Sequence, residues 1–277
     1  MHPSLDLHLF DIPAADSSAP VVIHPTALVD PKAQLGQGVV VGPYCIVGPH
    51  VSLGDQVRLE SHVVVSGRTF VGARTVVYPF ATLGVYPQDL KYGGEEGVLE
   101  IGEENSFRQY VNLSIGTGGG GGKTVIGRRN LFMVYTHVAH DCQVGDNIVF
   151  ANSVSLAGHV RVESHVVLGG FAGVHQFCRI GTRAMIAGGS IVVQDVPPFT
   201  TVQGDRAKPF GLNLVGLKRA GYSTDQVKDF KNMYRLLYNE GLTVDDCISR
   251  IEQEVPAGEE REAFVTFLKQ SERGVCR

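Results

Sequence analysis

An aliphatic residue that returns every six positions restricts this chain more than any other feature. From Ile23 the series runs through Val29, Leu35, Val41, Val47, Leu53, Leu59, Val65, Val71 and Val77 to Leu83. It resumes at Ile101, Phe107 and Leu113, and after one extra residue continues from Ile126 in steps of six to Val192. Four places after each anchor sits a small or β-branched residue, as at Ala27, Val39, Cys45, Val57 and Thr75. A period of six matches neither an amphipathic helix nor an alternating strand. Sustained this long, it is the signature of a solenoid. Each hexad forms one side of a triangular coil, and three hexads complete a turn whose strands stack about 4.8 Å above the turn before. The predicted fold is a left-handed parallel β-helix, a hexapeptide-repeat solenoid, over 21–196, followed by a C-terminal α-helical domain over 197–277.

Two segments break the period. Residues 84–100 (GVYPQDLKYGGEEGVLE) carry charges where anchors belong, and 114–125 contain the run Gly118 to Gly122. Such a run is expected to hold no packing of its own and to need an external partner for order. Loops that leave a rigid scaffold commonly serve binding. After Gln194 the pattern changes: the paired prolines of DVPPF are expected to stop the coil. Helices are predicted after Ser223 or Thr224, ending at Gly241, then from Thr243, and around Phe264, Phe267 and Leu268. Together they form a cap on one end of the solenoid. Residues 1–20 lack the basic start and apolar stretch of a signal peptide and are expected to be a flexible extension.

Composition narrows the function classes. The net charge of −4 argues against nucleic acid as a partner. No apolar run reaches the length of a membrane span. Five scattered cysteines without a CxxC pair fit reduced thiols in the cytoplasm.

The 18-residue turn turns spacing into position. His140, Gly158 and Gln176 form one column, with Asp141, His159 and Phe177 beside it. His137 lies three residues before His140, and His175 adjoins Gln176. Four histidines, an aspartate and a glutamine thus gather on one side of the coil. One reading is a zinc site, as in β-helical enzymes of the carbonic anhydrase kind. The other needs no metal: a histidine takes a proton from a hydroxyl that attacks an acyl carbonyl. Asp141 would then orient the imidazole, and Gly158 would let a backbone N–H approach the oxyanion. Arg179, Arg183, Lys218 and Arg219, helped by Lys228 and Lys231, are expected to dock an acidic carrier protein. Gly188 stands 18 residues above Gly170 in a bare column on a different face.

From about Val21 to Arg277 the sequence resembles the UDP-N-acetylglucosamine O-acyltransferases of lipid A biosynthesis. The segments that carry the resemblance are IHPTA at 23, GPYCIVGPHV at 42, QDLKY at 88, HVAHDC at 137, LAGHV at 156, GVHQF at 173, QDVPP at 194 and GLKRAG at 216. The resemblance implies a homotrimer with sites between subunits. It implies transfer of a 3-hydroxyacyl chain from an acyl carrier protein thioester to position 3 of UDP-N-acetylglucosamine, with no cofactor and no metal. His140 is then the general base, Asp141 its support and Gly158 the oxyanion donor. Asp89 meets the acyl 3-hydroxyl, and Lys91, His137, His159, His175, Gln176, Asn213 and Arg219 help form the substrate site. Gly188 sets acyl length. Where many members read His-Arg-Gly-Thr this chain has Ser114-Ile115-Gly116-Thr117, a usual arginine is Ala220, and a usual acidic residue is Val215. Because the 114–125 loop is expected near the sugar, the first change raises the possibility of a 3-amino sugar as acceptor.

Overall fold

The computed structural model describes residues 20–277, so the expectation for the N-terminal extension lies outside the described residues apart from Pro20. Two- to five-residue strands stack into three sheets of 11, 9 and 8 strands, called A, B and C here. The chain visits them in turn, and the sheets wind as a left-handed parallel β-helix. Within one ladder, Val41 pairs with Leu59 and Leu59 with Val77, the anchors lying directly in register. Anchors from Val41 onward are buried, and Phe107, Phe132 and Phe150 stack inside the coil at 4.8 and 4.4 Å between ring centroids. In the first turn Ile23 remains 43% exposed, because no described turn lies beneath it.

Most corners are two-residue turns whose second residue adopts a left-handed backbone. Asp141 (φ 60°), His159 (φ 61°) and Phe177 (φ 66°) do so at the B-to-C corner, and Tyr44, His62 and Phe80 at the A-to-B corner. Each such residue costs about 1–2 kcal/mol, offset by its stacking on the corner above and below and by the parallel ladders.

Both period breaks are insertions at the B-to-C corner. The first leaves sheet B at Thr82–Val85 and rejoins sheet C at Val98–Ile101. The second leaves at Asn112–Ser114 and rejoins at Lys123–Ile126. They lengthen the repeat locally to 30 and 25 residues, while the sheet C ladders remain in register across them.

The segment after Pro198, expected to be helical, begins otherwise. Thr200–Gln203 joins sheet A in parallel, and Lys208–Leu212 folds back antiparallel on it. Val202, fully buried, takes an anchor position, so the paired prolines do not end sheet A. A short helix absent from the sequence reading, α1 (Leu214–Arg219), follows. Then come α2 (Thr224–Tyr238), α3 (Val244–Glu254) and α4 (Glu259–Lys269). Ser223 and Gln226 close a capping box on α2, and Thr243 caps α3. Phe230, Leu237, Ile251 and Phe264 form a second core together with Phe199. The chain end returns to the coil, where the Cys276 N–H donates to the Asp195 carbonyl.

Candidate active site

The coil places the histidines as the 18-residue column requires. His140 and Asp141 form one B-to-C corner, Gly158 and His159 the next, Gln176 and Phe177 the third. His140 Nδ1 lies 2.8 Å from Asp141 Oδ2, and the two rings His140 and His159 meet edge to face at 5.1 Å. His159 in turn stacks on Phe177 at 4.4 Å. A Cβ on Gly158 would stand 2.6 Å from His140 Cε1 and 2.7 Å from Nε2. Glycine is required there by close approach, which brings backbone up to the imidazole edge. The Gly158 N–H makes no hydrogen bond among the described residues.

Asp141 is a buried carboxylate whose side chain is fully enclosed. An ion in that position is tolerated only when donors surround it. Thr117 supplies two, its N–H at 2.9 Å from Oδ1 and its hydroxyl at 2.6 Å from Oδ2. The Asp141 N–H donates to Thr124 Oγ1 at 2.9 Å. Thr117 was not singled out by the periodicity because it sits in the inserted loop, whereas Thr124 lies in the strand where sheet C resumes. The Gly-Thr motif beside the glycine run was the only signal that could have found Thr117.

That loop corrects a sequence expectation. The glycine run has fixed packing within the chain: Gly118–Gly120 forms a 3-10 turn, and the Gly122 N–H bonds back to the Thr117 carbonyl. Gly120 lies flat on Asp141, where a Cβ would fall 2.1 Å from the carboxylate carbon. The loop is ordered by the carboxylate it covers. The first insertion grips it through Glu95, which accepts hydrogen bonds from the Gly118 and Gly93 N–H groups. Its own backbone N–H first, and then these two bonds, hold the Glu95 carboxyl below its usual range.

The same insertion carries Asp89 to 3.8 Å from His140 Nε2. Lys91 is exposed, and its N–H donates to Asp89 Oδ1. His137 Nδ1 lies 2.8 Å from Asn112 Oδ1. Burial pushes the pKa values of His137 and His159 down, which favours neutral imidazoles beside the corner. His175 and Gln176 are exposed one turn above Gly158. His140, Asp141 and His159 offer ligand atoms within 4.8 Å of one another, the one metal-capable cluster of its kind among the described residues. Both Asp141 oxygens are already engaged by hydrogen bonds from Thr117 and His140, an arrangement that orients an imidazole without an ion.

Other predicted residues stand elsewhere in the single chain. Asn213 caps α1 and donates to the Arg183 carbonyl at the C-to-A corner; Arg219 is exposed on the last turn of α1. Gly188 stands over Gly170 at the A-to-B corner. Within the cation patch, Arg179 is committed to the cap: its guanidinium lies over Phe267 and reaches Glu163 at 3.5 Å. Arg183 is tied to Tyr222, and Lys228 pairs with Asp225. Lys218, Arg219 and Lys231 remain exposed. Ser114 ends the strand Asn112–Ser114, and Ile115 follows it. Both are buried, 0% and 3% exposed, and Ile115 packs in the coil interior.

Known proteins resemble this chain over most of its length. A relative from Alkalilimnicola ehrlichii, an acyl-[acyl-carrier-protein]--UDP-N-acetylglucosamine O-acyltransferase, is 53% identical over 255 residues, covering 92% of this chain and 99% of its own. The chain belongs to the UDP-N-acetylglucosamine O-acyltransferase family. A second relative, from Thiobacillus denitrificans, is 49% identical over the same shares. Residues 195–276 match the domain described as "Udp N-acetylglucosamine O-acyltransferase; Domain 2", and 20–55 and 32–67 match bacterial transferase hexapeptide repeats. Among solved structures, LpxA from Acinetobacter baumannii superposes with a TM-score of 0.91 at 44% identity, over 92% of this chain and all of that one. The acyltransferase from Bacteroides fragilis gives 0.90 at 35% identity, with the same coverage. In this chain one of the two loops that the periodicity left blank carries Asp89, and the other holds Asp141.

Proposed function

We propose that this chain transfers a 3-hydroxyacyl group from an acyl carrier protein thioester to the 3-hydroxyl of UDP-N-acetylglucosamine, the first step of lipid A biosynthesis. The observation that carries the mechanism is the His140–Asp141 pair, 2.8 Å apart, with Gly158 backbone against the imidazole edge. Asp141 accepts from Nδ1 and leaves the Nε2 lone pair facing outward as the base. Nε2 removes the proton of the sugar hydroxyl as its oxygen attacks the thioester carbonyl. The Gly158 N–H donates to the developing oxyanion. Collapse of the tetrahedral intermediate breaks the carbon–sulfur bond, and the leaving thiolate takes the proton from His140. Asp89, 3.8 Å from Nε2, sits where the acyl 3-hydroxyl can meet it. The thioester is reactive enough that the transfer uses no cofactor.

The working unit in this reading is a homotrimer. Asn213, Arg219 and Gly188 lie on other corners of the coil from His140, so one chain does not gather the full substrate set. Loop residues Tyr86 and Leu90 expose apolar side chains that a neighbour would cover. The carrier protein docks on Lys218, Arg219 and Lys231. No described helix is long and apolar enough to cross a membrane, and the five buried free cysteines fit the cytoplasm.

The test is mass spectrometry of the product formed from UDP-N-acetylglucosamine and 3-hydroxyacyl carrier proteins of graded length, with sedimentation fixing the oligomeric state. Product acylated at position 3, by a trimer, is expected. Absence of ester product with every donor rejects the proposal. Gly188→Met is expected to shift preference toward shorter donors, since a Cβ there meets only the Gly170 backbone, whose carbonyl oxygen at 3.3 Å needs to give by a few tenths of an ångström. An unchanged length profile removes Gly188 from the acyl channel.

A further inference from the structure

The inserted glycine-rich loop does more than cover the corner. We infer that Thr117 is a positioning residue for the transfer: through Asp141 it sets the orientation and basicity of His140. The inference rests on His140 acting as the base.

The geometry is specific. Asp141 Oδ2 takes two donors at once, the Thr117 hydroxyl at 2.6 Å and His140 Nδ1 at 2.8 Å, while Oδ1 takes the Thr117 N–H at 2.9 Å. Thr117 therefore clamps both oxygens, and the carboxylate cannot rotate about its last bond without losing a donor. Thr117 occupies the N-cap position of the 3-10 turn, with an extended backbone (φ −116°, ψ 155°), yet its hydroxyl does not cap the turn. The usual local use of that side chain is given up for the carboxylate 24 residues away. Gly120 follows the same logic, since any side chain there would push into Asp141. Thr117 is itself buried, 6% exposed, so it touches Asp141 and not the outward face where substrate approaches.

The electrostatic consequence follows from the shared oxygen. Each hydrogen bond to a carboxylate draws charge from it and weakens what remains for its other partner. The hydroxyl of Thr117 thus moderates the pull of Asp141 on the imidazolium that forms during transfer. The other titratable groups facing His140 are Asp89 at 3.8 Å from Nε2 and the ring of His159; His137 lies on the strand before it. None of these contacts the Thr117 hydroxyl, so a change at 117 reaches His140 only through Asp141.

The experiment compares Thr117→Val, Thr117→Ser and His140→Ala with the parent protein, all checked for the parent's oligomeric state and melting behaviour. The readout is the pH profile of kcat/KM for acyl transfer to UDP-N-acetylglucosamine. Thr117→Val keeps the backbone donor and side-chain volume but loses the hydroxyl. It is expected to lower kcat/KM about 10- to 100-fold and to move the acidic limb to higher pH, because an unshared Oδ2 holds the imidazolium more tightly. Thr117→Ser is expected to restore both. A Val variant with parental rate and limb, while His140→Ala is inactive, overturns the role of Thr117 and leaves the base intact. A Val variant that loses rate with an unmoved limb assigns Thr117 to packing alone and also overturns it. A folded His140→Ala with near-parental turnover removes the base, and the positioning role with it.

Discussion

Two corners of the same coil show how a repetitive scaffold becomes reactive. At the A-to-B corner, Tyr44, His62, Phe80, Tyr110 and Tyr135 stack in one ladder with ring centroids 4.9 to 5.1 Å apart. At the B-to-C corner, Asp141, His159 and Phe177 occupy the equivalent turn position with the same left-handed backbone. The backbones are alike and the rise is alike. The first ladder is half open to solvent, with Tyr44 and Tyr135 each 59% exposed, and carries rings throughout. The second places a carboxylate where a ring would continue the stack, then buries it under an inserted loop. Both insertions leave from this corner, and Phe80 still stacks on Tyr110 across the longer one. A solenoid absorbs extra chain at one corner without disturbing the others, because each ladder is held by its own neighbours above and below.

The contrast can be broken most severely at its reactive end. His140→Ala is expected to leave the fold intact and cut kcat by about 10² to 10⁴, measured with saturating donor and acceptor. Gly120→Ala comes next. Its methyl falls on the Asp141 carboxylate, and an ångström-scale displacement of a catalytic group costs about 10² in rate. Turnover near the parent's would show that the loop can lift without cost to Asp141.

At the other corner the effect should be on stability alone. Phe80→Ala removes two ring stacks, with His62 and Tyr110, each worth about 0.5 to 1.5 kcal/mol. Urea unfolding is expected to register a loss of about 1 to 3 kcal/mol on that basis, while kcat stays unchanged. A fall in kcat without unfolding would mean the two corners are coupled.

The smallest effect is in pH. Burial lowers the pKa of His137 and His159 in the folded chain, so the unfolded chain takes up protons first as pH falls below about 6.5. The stability due to neutral imidazole is therefore complete above that pH and is lost as pH drops through the folded values. His137→Gln is expected to flatten the decline in unfolding free energy between about pH 6.5 and pH 5. An unchanged slope would show that His137 does not contribute to it.

How much of this could be read in advance depends on whether a residue obeys the period. The anchors, their burial and the His140–Gly158–Gln176 column follow from counting, because 18 residues make one turn and a parallel ladder admits no slippage once the interior is apolar. His137, Asp141 and His159 are legible for the same reason. Helices α2 and α3 are legible through their caps, Ser223 and Thr243, which act within four residues of sequence.

The rest was decided by contacts between segments that no period connects. Thr117 meets Asp141 across 24 residues and a loop of glycines, and glycine encodes no conformation by itself. The order of that loop comes from the unmet hydrogen-bonding demand of a buried carboxylate, which exists only once the coil has formed. Ser114 and Ile115 turned inward because the chain there still follows the interior of the coil before it leaves for the loop. Asn213 and Arg219 came to rest away from His140 because the hairpin at Thr200–Leu212 extends sheet A and carries α1 to the C-to-A corner. Short-range periodicity determined the scaffold and the column of reactive side chains; the tertiary structure determined which groups hold them, since a donor for a buried charge can come from any distance along the chain.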